Sequence, residues 1–189
     1  ETETSLINSL ALRTGNSGNV TIKTSKLAIF NFANIGTSSW AEGSAGKLTI
    51  NASESIKISG TGSSIDSSVP VLSEIFRQTL GLPDLPSGDS GSIVVNTPSL
   101  TIADGGVVSV GNQGLGNSGN IEINTDQIFL DTEGNINAFS ASGEGGSIDL
   151  NSQNSLLLRN NSFIDTESFG IGNGGNITIN SPVIAGFEN

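Results

Sequence analysis

One ten-residue pattern, Gly-x-x-Gly-x-apolar-x-apolar-x-small, occurs six times along this 189-residue chain, and it constrains the fold more than any other feature. The copies span 15–24, 43–52, 88–97, 116–125, 143–152 and 172–181. Their starts are separated by 28, 45, 28, 27 and 29 residues, so one interval holds an insertion. Self-similarity at a period of 20–50 residues marks a repeat architecture, in which each unit is one supersecondary block that cannot bury its apolar face alone.

Each unit divides into three short stretches of period-2 alternation bounded by Gly, Asn and Ser, which is the signature of strands. The first is exemplified by Val20-Thr21-Ile22. The second includes Leu27-Ala28-Ile29, Ile56-Lys57-Ile58 and Ile128-Phe129-Leu130, and the third includes Asn34-Ile35-Gly36, Val108-Ser109-Val110 and Phe163-Ile164-Asp165. Leu6-Ile7-Asn8 fits the third slot of an earlier unit. Stacking the units about 4.8 Å apart aligns like residues in columns. Val20, Leu48, Ile93, Ile121, Ile148 and Ile177 would form one interior column, and Ile22, Ile50, Val95, Ile123, Leu150 and Ile179 the next. The repeat glycines are expected at corners that need positive φ or close approach between coils. Asn51, Asn96, Asn124, Asn151 and Asn180 share one position, with Lys23 the exception. They predict either an inward amide ladder at a corner or exposed turn residues without one.

The long interval places an insertion at 61–87. Leu72, Ile75, Phe76 and Leu80 sit at helical spacing after Pro70, and Gly81 follows, so a short amphipathic helix is expected. It would either pack on the flank of the rod or protrude as a recognition loop.

Composition removes several function classes. The chain has no Cys and no His, so disulfides, thiolate zinc sites and Ser-His-Asp catalysis are excluded. Seven basic residues stand against 18 acidic ones, a net charge of −11, which leaves no basic footprint for nucleic acid. No apolar run is long enough for a transmembrane helix. Residues 1–77 carry six acids and six bases, whereas 78–189 carry twelve acids and one base, Arg159.

Candidate chemistry is sparse. Glu122 and Asp149 occupy the same outward slot in adjacent coils, which would set two carboxylates at about the spacing of a retaining glycosidase. No Arg or Lys falls in the same slot of neighbouring coils, and solvated surface acids are the expectation. Asp131 with Glu133, and Asp165 with Glu167, form local acidic pairs of the oxygen-ligand type that binds Ca²⁺, but Ser147 or Asn176 stands where the Ca²⁺-binding nonapeptide requires Asp. Neither a catalytic residue nor a cofactor or metal site is assigned. The sequons at Asn19, Asn51, Asn160 and Asn176 read as accidents of composition, because a glycan within the repeat motif would obstruct stacking. Trp40, Phe30 and Phe32 fall in one unit, either as filler of the interior or a covered flank or as an exposed platform for sugar rings. The glycine-rich blocks lack the Gly-Lys-Ser/Thr of a phosphate loop.

The blocks GNSGNVTIKT, GNSGNIEINT and GNGGNITINS, with the ADGGVVSVGNQG segment, resemble the passenger repeats of filamentous haemagglutinin-like exoproteins of two-partner secretion, especially the cyanobacterial ones. The similarity runs from about Leu6 to Ile184. It implies a right-handed parallel β-helix, export through an outer-membrane barrel partner, and a secreted or cell-surface role in adhesion. The absence of Cys is similar to that family. No secretion domain of the family is recognised here, and the opening Glu1-Thr2-Glu3-Thr4 reads as mid-protein sequence, so an excised segment flanked by further coils is expected.

The expectation is therefore an all-β, right-handed parallel β-helix: three short strands per coil of about 28 residues, about six coils within 1–189, and one short helical insertion. The expected function is non-catalytic, a structural or adhesive module whose ladders and insertion meet a cell-surface carbohydrate or protein. The alternatives are a carbohydrate-active β-helix enzyme and a stalk spacer.

Overall fold

The computed structural model describes residues 5–187. The chain forms β1 (Leu6–Ala11), β2 (Val20–Phe30), β3 (Asn34–Ser39), β4 (Leu48–Ser59), β5 (Ser64–Val69), α1 (Glu74–Leu80), β6 (Ile93–Ala103) and β7 (Val107–Asn112). It continues through β8 (Ile121–Leu130), β9 (Asn135–Ser140), β10 (Ile148–Arg159), β11 (Phe163–Ser168), β12 (Ile177–Asn180) and β13 (Ile184–Phe187). Every strand pairing is parallel, and the strands stack as about six turns of a β-solenoid. One sheet runs β1-β3-β5-β7-β9-β11, and the other runs β12-β10-β8-β6-β4-β2, with β13 also on β10.

The interior columns form as the repeat predicts. Val20 pairs with Leu48, Leu48 with Ile93, Ile93 with Ile121, Ile121 with Ile148 and Ile148 with Ile177. From Leu48 to Ile148 this column is fully buried, and its last member, Ile177, is 43% exposed because no coil covers it among the described residues. Full burial of such a side chain contributes roughly 1.5–3 kcal/mol, and only a neighbouring coil supplies it.

The expected first and second strands of a unit are continuous. They merge into one long strand of 10 to 12 residues, as in β8 and β4, bent at a corner. Register slips mark the bend between Thr24 and Lys26, Asn51 and Ile56, and Ser152 and Ser155. Only the last unit divides there, into β12 and β13. At the bend the pairing lapses for a few residues, among them Ser53 and Glu54 between β4 and β6 and Gln153 and Asn154 between β10 and β8, and it resumes beyond.

Two kinds of corner close each coil. Between the long and the short strand the chain turns through left-handed residues: Asn31 and Phe32, Asp104 and Gly105, Thr132 and Glu133, Asn160 and Asn161. Asn, Asp and Gly tolerate this region best, which is why they recur there. The Gly-x-x-Gly corner works differently. Its glycines have no positive φ, and they permit contact between coils. A Cβ on Gly88 would overlap the carbonyl oxygen of Gly43, and one on Gly119 would overlap that of Gly91.

The Asn residues of this motif are coil-to-coil acceptors. Asn16 Oδ1 accepts from the Ser44 N–H at 2.9 Å, and Asn19 Oδ1 from the Lys47 N–H at 2.8 Å. Asn117 and Asn120 repeat this for Glu144 and Ser147, at 2.9 and 2.8 Å. The sequon at Asn19 therefore coincides with an architectural side chain. Inside this corner the core turns polar: the Thr37 and Ser67 hydroxyls lie 2.7 Å apart, and both donate to the Gly46 carbonyl.

The insertion is shorter than its sequence limits of 61–87. Ser64–Val69 is a regular rung, β5, paired with β3 and β7. Its weak signal, with Ile65 and Val69 as the sole apolar residues, hides it in the sequence. The extra chain lies between Val69 and Gly88.

Candidate functional site

The shared Asn position builds a ladder on the outer face. Asn51 follows buried Ile50 and precedes buried Ala52, so strand alternation turns its side chain outward. Asn96 Nδ2 donates to Asn51 Oδ1 at 2.9 Å, Asn124 Nδ2 to Asn96 Oδ1 at 3.0 Å, and Asn151 Nδ2 to Asn124 Oδ1 at 3.1 Å. Asn124 also donates to Glu122 Oε1 at 2.9 Å. Of the two sequence alternatives, the amide ladder forms, but outward rather than inward: the inward slots on either side already hold the Ile22 column and the small residues Ala52, Thr97, Thr125 and Ser152.

Where the long strands bend, this ladder lines an open groove of about 850 Å³ that crosses the coils from Lys23 to Asn180. Corner residues Ser53, Pro98, Asp126, Gln153 and Pro182 complete the lining. Thr97 and Thr125 spend their hydroxyl protons on the Ser99 and Gln127 carbonyls, which shapes the bend, and the amides recur along the groove with Lys23, Ser53 and Asp126 among them.

The insertion forms a second feature. α1 is short; Ser73 precedes it without a side-chain cap, and Gly81 ends it in the left-handed conformation at φ 64° and ψ 42°. Arg77 braces the loop: Nη1 donates to the Leu72 and Asp84 carbonyls at 3.4 and 3.2 Å, and Nη2 lies 3.4 Å from Asp84 Oδ1. The rod holds the loop at several points. Arg13 Nη2 donates to the Leu80 carbonyl at 3.0 Å, the Val71 N–H to Gln113 Oε1 at 2.8 Å, and the Leu115 N–H to the Pro86 carbonyl at 2.8 Å. The expected apolar stripe does not dock as a unit. Leu72 and Leu80 are half-buried, whereas Ile75 and Phe76 are 78% and 62% exposed. Hydrogen bonds to main-chain carbonyls fix the loop, so its apolar tip is left free.

The remaining sequence candidates gather into no site. Glu122 and Asp149 are register partners on adjacent strands and both are exposed. Their slot continues to Val94 on one side and Thr178 on the other, with no cation. Asp131 accepts from Asn160 Nδ2 at 2.7 Å, and Glu133 sits at φ 63° in its turn. Burial, and then repulsion from Glu167, hold the Asp165 carboxyl above its ordinary range. Among the described residues no three His, Cys, Asp or Glu side chains gather as metal ligands. Phe30 and Phe32 are 41% and 43% exposed at one corner, and Trp40 lies beyond the other end of β3, so the three rings form neither an interior filling nor a common platform. Lys57 Nζ lies 5.6 Å from the Phe30 ring centroid.

One site without a sequence signal is Asp66. It points from β5 among Asn34, Ser64 and Ser68, and it accepts hydrogen bonds from Asn34 and from Ser68 at 2.8 Å. Burial pushes its carboxyl above the usual range, and the hydrogen bonds oppose that only in part. Gly36 leaves the room it occupies, because a Cβ there would stand 2.8 Å from Asp66 Oδ1.

Comparison with family models, with curated proteins and with solved structures finds no match to this chain. No helix among the described residues is long and apolar enough to cross a membrane.

Proposed function

We propose that this chain is a non-catalytic contact module of a secreted or cell-surface exoprotein, a stiff rod that holds adhesive features at fixed spacing. The observation that carries the reading is the insertion: Ile75 and Phe76 project into solvent from a loop tied down by Arg77, Arg13 and Gln113. Large apolar side chains on a braced, solvent-facing tip suit capture of a partner's apolar surface. The resemblance to haemagglutinin-like passenger repeats supports the same reading and adds export through an outer-membrane barrel.

Adsorption of the labelled chain to apolar, polysaccharide-coated and whole-cell surfaces tests this, with Ile75→Ser/Phe76→Ser as the comparison. The proposal expects adsorption to at least one surface and a loss of tenfold or more in the double variant. Equal adsorption of both proteins, or none by either, would favour the stalk spacer.

A further inference from the structure

We propose that the groove along the Asn ladder binds a linear, uncharged glycan lying parallel to the axis of the rod. This rests on the contact-module reading, but it uses a different surface from the insertion.

Three observations select the ligand. The first is the polar chemistry of the groove. Amide side chains recur once per coil, about 4.8 Å apart, and each can donate and accept. Asn96 and Asn151 each spend one N–H on the ladder and keep the other, and Asn51 keeps both. Hydroxyl groups of a sugar chain likewise donate and accept, and a monosaccharide in an extended chain advances by nearly one coil spacing. Pro98 and Pro182 offer exposed apolar surface to the C–H faces between those hydroxyls.

The second observation is the direction of the backbone. The main chain crosses the groove at right angles to its length. At the ladder its N–H and C=O groups are committed to coil-to-coil pairing, Asn51 with Asn96 and Asn96 with Asn124. At the bend, where that pairing lapses, the Pro98 and Asp126 carbonyls accept from the Thr125 and Ser152 hydroxyls, and Pro98 has no N–H. A peptide lying in the groove finds no free row of main-chain partners and cannot add as a strand. A ligand must be recognised by side chains alone.

The third is charge. Lys23 and Asp126 are the only charged residues in the lining, one basic and one acidic, within a chain of net charge −11. An anionic polysaccharide gains no cationic track there and meets a repulsive field, whereas a neutral one avoids both effects. The groove reaches from Lys23 in the first coil to Asn180 in the last, so the ligand is a chain of several residues.

Calorimetric titration of the full chain with cellohexaose, xylohexaose and chitohexaose, their disaccharides and hexagalacturonate provides the test. At least one neutral hexasaccharide should bind tenfold or more tightly than its disaccharide. Binding should fall at least tenfold in Asn51→Ala/Asn151→Ala, with the melting temperature read in parallel. If that variant fails to fold, Ser53→Trp, which narrows the groove at an exposed corner without touching the ladder amides, should give the loss. A variant lacking 72–86 should bind the hexasaccharide as the parent does, which separates this site from the insertion; the deletion leaves three residues between Val69 and Gly88, as between Ser39 and Gly43. No binding by any neutral hexasaccharide, tighter binding of hexagalacturonate, equal affinity for disaccharides, or full binding by the groove variants would overturn the proposal.

Discussion

Asn124 donates its side-chain N–H to the amide oxygen of Asn96 across 3.0 Å, although the two residues lie 28 positions apart in the chain. Asn151 repeats the contact onto Asn124 one coil further on, at 3.1 Å. With the Asn96–Asn51 bond, the ladder ties four coils through side chains, in addition to the main-chain pairing beneath it.

Asn124→Ala removes the acceptor for Asn151 and the donor to Asn96 and Glu122. Each partly exposed hydrogen bond contributes about 0.5–1.5 kcal/mol, so for the three together a loss of roughly 1.5–4.5 kcal/mol is expected. Urea denaturation measures it. Asn180→Ala, at the exposed end of the column, should fall within about 0.5 kcal/mol of the parent.

Gly88→Ala would drive a methyl group into the carbonyl of Gly43, whereas a Cβ on Gly15 meets nothing within 4 Å. Overpacking of a fixed backbone typically costs about 1–3 kcal/mol and occasionally more, so Gly88→Ala should reach or exceed that range while Gly15→Ala stays near zero. Thermal melts of the two variants, which carry the same chemical change, isolate the close approach from general glycine effects.

Asp66 titrates against folding. Its folded-state pKa lies above the unfolded value of 3.8, so the native state binds the proton more tightly. Its contribution therefore grows as pH falls through the raised folded-state pKa towards 3.8, and is lost as pH rises. Asp66→Asn keeps the acceptor oxygen facing Asn34, turns its NH2 towards the Ser68 hydroxyl, which can accept, and removes the buried charge. The variant should melt above the parent at pH 7, with the gap narrowing as the pH is lowered towards 4. A variant that melts below the parent at neutral pH would contradict this.

Much of the architecture is legible in the sequence because its determinants repeat. The Leu48–Ile148 column needs no more than period-2 alternation and equal spacing, and both are explicit. The parts that escape are set by context. Ser64–Val69 is a rung whose neighbours β3 and β7 supply the order that its own six residues barely announce. The shared Asn position is plain, but its outward direction depends on the phase of the strand through the bend. Asn16 and Asn19 look like turn residues until their acceptors are seen to reach the N–H groups of the next coil. For Ile75 and Phe76 the sequence leaves flank packing and protrusion open, and Arg77 decides it by securing the loop through carbonyls and leaving them outside. The pairing of Glu122 with Asp149 is foreseen correctly, and the same register shows why it has no cationic support.

The account depends on successive coils stacking in register, and the absence of Cys makes this directly measurable. Glu122 and Asp149 are register partners on adjacent strands, and Thr178 is the partner of Asp149 one coil beyond. Neighbouring strands lie about 4.8 Å apart, within the Cα separation of roughly 4.4–6.8 Å that a disulfide spans, whereas two coils span about 9.6 Å. Mild oxidation of Glu122→Cys/Asp149→Cys should give an intramolecular disulfide in most molecules, and Glu122→Cys/Thr178→Cys should give none. Cross-linking in the second pair, or its failure in the first while the protein remains folded, would contradict the stacked solenoid.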